Sequence, residues 1–149
     1  MKHRTFSAGA GLLLCALLLA ASAVSAAEFM SVVKDGVNLR SGPDASSEVF
    51  FQLPAGYPLQ VIERKGDWIN VSDYENDKGW VSASLVSITP YVIVKAERGN
   101  IRSGAGPDQP QVGKVVRDVI LKKLDQQGDW IKVSHPQLTG WIHKQLVWP

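Results

Sequence analysis

The stretch Gly66-Asp67-Trp68-Ile69-Asn70-Val71-Ser72 decides the fold, because its side chains alternate and because the whole block returns later in the chain. Along an extended strand successive side chains point to opposite faces. Ile69 and Val71 therefore share one face, and Trp68, Asn70 and Ser72 share the other. The second occurrence is Gly128-Asp129-Trp130-Ile131-Lys132-Val133-Ser134. A β-branched inner face and a mixed outer face, used twice, point to strands in a duplicated unit.

Three further blocks repeat in the same order. Asn38-Leu39-Arg40-Ser41-Gly42 returns as Asn100-Ile101-Arg102-Ser103-Gly104, and Gly79-Trp80-Val81 as Gly140-Trp141-Ile142. Each copy then closes on an apolar pair, Leu85-Val86 and Leu146-Val147. The first copy covers residues 28–87 and the second 91–149, with Ile88-Thr89-Pro90 between them. Short β-branched runs bounded by Gly, Pro and Asp predict strands at 49–53, 59–63, 68–72 and 78–82. Copy two gives strands at 112–116, 119–124, 130–134 and 139–143. Several short strands at regular spacing read as a small barrel, whose closure hides strand edges. A unit of about 60 residues is marginally stable alone, and the short linker keeps the copies close, so an interface between them is expected.

The first 26 residues stand apart. Met1-Lys2-His3-Arg4 is followed by an apolar run from Gly11 to Ala20 and a small-residue exit through Ala26-Ala27. That is the plan of a secretory signal-peptide helix at residues 1–26, and its apolar run is shorter than the about 20 residues of a membrane-spanning helix. Cys15, the one cysteine, lies inside it and would leave on cleavage after Ala26 or Ala27. Removing Lys2 and Arg4 from 16 basic residues leaves 14 against 14 acidic ones. A near-neutral mature chain argues against nucleic acid, whose phosphates require a basic face. The expected location is exported: periplasm, cell envelope or medium.

Taken together, Asn-Leu/Ile-Arg-Ser-Gly with a nearby Pro, then Gly-Asp-Trp, then Gly-Trp-Val/Ile, resemble the bacterial SH3-like (SH3b) domains of exported proteins. The resemblance implies an all-β chain of two tandem SH3-like β-barrels, each of five to six strands. It also implies a non-catalytic role in binding cell-wall material or peptides, often beside a hydrolase domain.

The candidate ligand-binding residues are Trp68, Trp130, Trp80, Trp141, Arg40 and Arg102. With Ile69, Val71, Ile131 and Val133 on the core face, Trp68 and Trp130 turn outward. Val81 and Ile142 likewise take the core beside Trp80 and Trp141. Exposed aromatics mark binding sites, and Trp is enriched in hot spots; the alternative is that they cover a barrel end or meet the sister barrel. Arg40 and Arg102 could fork a carboxylate or phosphate, although bracing the carbonyls of their own loop is preferred. In eukaryotic SH3 domains the polyproline groove also uses a Pro and a Tyr, which fall here at Ser82 and Leu85 and at His143 and Leu146. Proline-helix recognition is therefore not expected.

No catalytic residue, metal or cofactor is expected. His135 and His143 are the only histidines after the leader, too few for a metal site, and no Gly-x-Ser-x-Gly elbow is present. Two partners remain open: peptidoglycan, as peptide or glycan, and an envelope protein or peptide met by an adaptor.

Overall fold

The computed structural model describes Ala21 and residues 25–149. The expected signal-peptide helix therefore falls almost wholly outside the described residues. The rest is all-β. The first copy contains β1 (Phe29–Val32), β2 (Val37–Arg40), β3 (Val49–Leu53), β4 (Pro58–Lys65), β5 (Trp68–Ser72), β6 (Lys78–Ser82) and β7 (Val86–Ser87). The second contains β8 (Tyr91–Val94), β9 (Arg98–Arg102), β10 (Gln111–Val116), β11 (Ile120–Gln127), β12 (Trp130–His135), β13 (Leu138–His143) and β14 (Val147–Trp148). A single 3-10 turn precedes the last strand of each, at Ala83–Leu85 and Lys144–Leu146.

Each copy forms one antiparallel sheet with the same strand order, β3-β2-β6-β5-β4-β1-β7 and β10-β9-β13-β12-β11-β8-β14. Seven strands replace the expected five to six, because a strand precedes the Asn-Leu-Arg block and a two-residue strand follows the 3-10 turn. The sheet is also open in its ladder: β3 and β7 are its two ends. The edge strand β3 accordingly leaves Val49, Phe50 and Phe51 exposed.

The alternation in the Gly-Asp-Trp block sets the core. Ile69, Val71 and Val81 join Val32, Val37, Leu39, Leu53, Leu59 and Val86 in one cluster. Ile131, Val133 and Ile142 take the same places in a second cluster with Ile101 and Leu121. The two-residue turn Gly66-Asp67 joins β4 to β5, with Gly66 at φ +58°. Glycine at the first central position suits a turn whose twist matches the strands, and Gly128 repeats it. Gly79 has another reason. A Cβ there would lie 2.8 Å from the Arg40 carbonyl oxygen and 2.8 Å from the Leu39 side chain. Only glycine lets β6 come this close to β2.

One buried acid organises the β5–β6 loop. Asp73 accepts from the Tyr57 hydroxyl at 2.9 Å and from the backbone N–H groups of Glu75 and Asp77, each at 2.9 Å. Burial pushes the Tyr57 hydroxyl well above the usual tyrosine range, and the Asp73 bond adds to that shift.

The barrels do share an interface. Phe29 meets Trp148 edge to face with ring centroids 5.4 Å apart, and the Tyr74 hydroxyl donates to Asp118. In barrel two Ile93 is paired with both Ile120 and Trp148. Directly opposed residues share a sheet face, so these three form one apolar surface. The matching positions of barrel one, Ser31, Pro58 and Ser87, are small or polar. Only one copy has acquired an apolar flank.

Candidate functional site

Strand pairing gathers the repeated residues on the outer face. Trp68 opposes Ser82, Asn70 opposes Trp80, and Arg40 opposes Trp80. Because opposed and second-neighbour residues share a face, Asn38, Arg40, Trp80, Ser82, Trp68 and Asn70 lie on one side of barrel one. Barrel two repeats this with Trp130 opposite His143, Lys132 opposite Trp141, and Trp141 opposite Arg102. All four tryptophans are partly exposed.

The arginines serve their own loops. Arg40 Nη1 donates to the Ser47 carbonyl oxygen at 3.0 Å, and Arg102 Nη1 donates to that of Gln109 at 3.0 Å. Each thereby pins the loop after its Ser-Gly block. A guanidinium has five N–H donors, so donors remain for a ligand at the groove edge.

A cavity of about 190 Å³ opens beside Trp68. Lys34, Asn38, Arg40, Ser82 and Leu85 form its walls with the indole. Of the sequence candidates it takes Trp68 and Arg40, while Trp80 lies on the same face outside its lining. The Oδ1 of Asn38 is buried and has no hydrogen-bond partner. A buried unpaired acceptor costs about 1–3 kcal/mol.

Barrel two differs at this spot. His143 stands where barrel one has Ser82, and its imidazole lies edge-on to Trp130, with ring centroids 5.2 Å apart and planes at 85°. Its Nδ1 accepts from the Gln145 backbone N–H at 3.2 Å, which anchors the ring. Trp130 is thus already in contact with a ring of its own chain.

Asn38, Lys34, Ser82 and Leu85 line the cavity without being among the sequence candidates. Asn38 was accessible in principle, since it recurs in the Asn-Leu-Arg block and alternates away from the buried Val37 and Leu39. Its lack of a partner is a matter of packing, which spacing does not reveal.

A family model described as the bacterial SH3 domain matches residues 35–87 and again 97–147. The chain is 26% identical over 138 residues to the Bacillus subtilis protein YrvJ, provisionally named an N-acetylmuramoyl-L-alanine amidase, covering 85% of this chain and 27% of that one. It is 35% identical over 51 residues to the Staphylococcus epidermidis protein LytH, provisionally named a cell wall amidase, covering 34% of this chain and 18% of that one. The chain therefore spans about a quarter or less of the curated relatives it matches. Among solved structures, an NlpC/P60 family protein from Bacillus cereus is similar at 14% identity and a TM-score of 0.39, covering 81% of this chain and 56% of that one. NlpC2 from Trichomonas vaginalis is similar at 14% identity and a TM-score of 0.37, covering 83% and 48%.

Proposed function

Because the chain belongs to the bacterial SH3 domain family, with one copy in each sheet, we propose that it is an exported, non-catalytic module that binds peptidoglycan. The peptide or glycan would lie in the Trp68 groove of barrel one. The observation that carries this reading is the groove in which the partly exposed Trp68 indole stands beside Arg40, Lys34 and Ser82. Peptide carbonyls and sugar hydroxyls both offer acceptors to the Arg40 and Lys34 donors, and an indole offers either of them a large apolar surface at low entropic cost. Similarity to proteins named as cell wall amidases supports the wall as the target. Both copies match the bacterial SH3 domain model, which supports a binding module.

Barrel two would serve as a support, with His143 against its tryptophan. Co-sedimentation with purified sacculi tests the assignment. Trp68→Ala should weaken binding by roughly tenfold or more, as removal of a Trp anchor does, while Trp130→Ala should stay within about twofold. Failure of the unmodified protein to sediment, or equal sedimentation of Trp68→Ala, would overturn it.

A second reading, an envelope protein–protein adaptor, draws on the edge strand β3, where Phe50 and Phe51 are 45% and 51% exposed. Unpaired strand edges accept other strands. Under that reading Phe50→Ser plus Phe51→Ser abolishes function while sacculus binding stays intact.

A further inference from the structure

The two barrels differ at one core position, and the partner of that position has changed with it. The Val94 N–H donates to the Val119 carbonyl as the Val32 N–H does to that of Tyr57, so Val119 and Tyr57 hold the same place in the fold. His135 likewise takes the place of Asp73, each following the serine that pairs with β11 or β4. In barrel one the Tyr57 ring packs on the core and its hydroxyl reaches Asp73 at 2.9 Å. Val119 has no ring to offer, and a cavity of about 250 Å³ opens beside it, walled by Val115, Leu121, Val133 and Leu138 and edged by the partly exposed His135. Leu138 does not fill the ring's place: it is seated over Gly113, where a Cβ would collide with it.

We infer that this pocket of barrel two takes one phenol ring from outside its own fold. The sister barrel supplies the template, since there the same place holds a phenol ring with a polar partner for its hydroxyl. Size agrees: an apolar cavity of about 150 Å³ already admits a benzene ring, and the extra space accommodates a hydroxyl and a short para substituent. The hydroxyl is selected by His135. Its Nδ1 accepts from the Gln137 N–H at 3.4 Å, which leaves the proton of the neutral imidazole on Nε2 as a donor to the phenol oxygen. In barrel one the same contact runs the other way, from the Tyr57 hydroxyl to a carboxylate. Lys114 also lines the opening, but it is exposed, and an ionised carboxylate costs far more to bury than a hydroxyl. A neutral phenol is therefore favoured over an aromatic acid. The ring can arrive as a free phenol or on the tyrosine of a peptide, and the two sources present the same chemistry.

The test titrates the intact protein with p-cresol, N-acetyltyrosinamide, toluene and 4-methylbenzoate, followed through the methyl resonances of Val115 and Val133. Saturable movement by p-cresol or N-acetyltyrosinamide is expected, and the tighter of the two tells whether the ring arrives free or on a peptide. Toluene should bind roughly fivefold more weakly, as loss of one hydrogen bond implies. Val119→Tyr builds the ring into the chain and should abolish binding, while His135→Ala should reduce the better phenol to the affinity of toluene without touching the core. The inference is overturned if neither phenol moves these methyls, if toluene or 4-methylbenzoate binds as tightly as the better phenol, if His135→Ala leaves its affinity unchanged, or if folded Val119→Tyr still binds it. The pocket shares no lining residue with the Trp68 groove, so its outcome is separable from that of the wall-binding reading.

Discussion

Replacing Ser82 by His should close the groove of barrel one in the way that His143 covers Trp130 in barrel two. The two positions are equivalent in pairing: Ser82 opposes Trp68 on β6 and β5, and His143 opposes Trp130 on β13 and β12. Opposed residues hold their Cβ atoms about 4.5–5.5 Å apart, so an imidazole at 82 reaches the indole without any backbone shift. Its backbone setting is also ready for it. Ser82 precedes its 3-10 turn at φ −66° and ψ 130°, and His143 precedes the other at φ −70° and ψ 135°. An aromatic side chain buries about 150–250 Å²; if the imidazole takes roughly a third of about 200 Å² from the ligand, the loss is about 1.6 kcal/mol at about 25 cal/mol per Å². That corresponds to roughly a fifteenfold rise in Kd. The assay is a sacculus binding isotherm, with a thermal melt to show that folding is unchanged. The reciprocal change, His143→Ser, should keep binding or strengthen it by freeing Trp130. Binding of Ser82→His within twofold of the unmodified protein, at an unchanged melting temperature, would refute the reasoning.

Gly79→Ala should destabilise barrel one by about 1–3 kcal/mol, as overpacking does, because the new methyl would stand 2.8 Å from a backbone oxygen; urea unfolding measures it, and an unchanged midpoint would contradict the close approach. Tyr57→Phe should cost about 1–2 kcal/mol at pH 8 through the lost bond to Asp73. The raised folded-state pKa of Tyr57 makes its contribution full below the unfolded value of about 10 and progressively lost as pH rises beyond it. The gap between the two proteins should therefore shrink between pH 9 and pH 11; a constant gap would mean that the hydroxyl is not held protonated by the fold. Trp148→Ala should remove the Phe29 contact and loosen the barrels, seen as added interdomain motion in NMR relaxation, with each core intact; unchanged relaxation would deny that this contact couples them.

The face carrying Trp68 was legible because period-two alternation needs only the local sequence, and Val81 and Ile142 fell on the core for the same reason. The strand β8 was not legible: Val92, Ile93 and Val94 are all buried, since one face meets the core and the other meets barrel one, so no alternation is left to read. The role of Gly79 depends on where β2 crosses β6, a long-range pairing. The difference between the two grooves was equally hidden. His143 and Ser82 were recognisable as matching positions, but only cross-strand pairing puts the imidazole on Trp130. The open ladder order has the same cause, because barrel closure is a property of strand ends that no single block encodes. The interface was expected from linker length, while its residues were not: they occupy positions where the copies have diverged, and repeat comparison looks at what is shared.

Trp68 is the residue proposed to meet the wall. The chain has five tryptophans, each with one indole N–H resonance, so titrating the protein with soluble muropeptides reads all of them at once. A large, saturable shift is expected at Trp68, a small one at Trp80 on the same face, and none at Trp130. Movement of Trp130 as great as that of Trp68, or no movement at any indole up to millimolar muropeptide, would contradict that assignment.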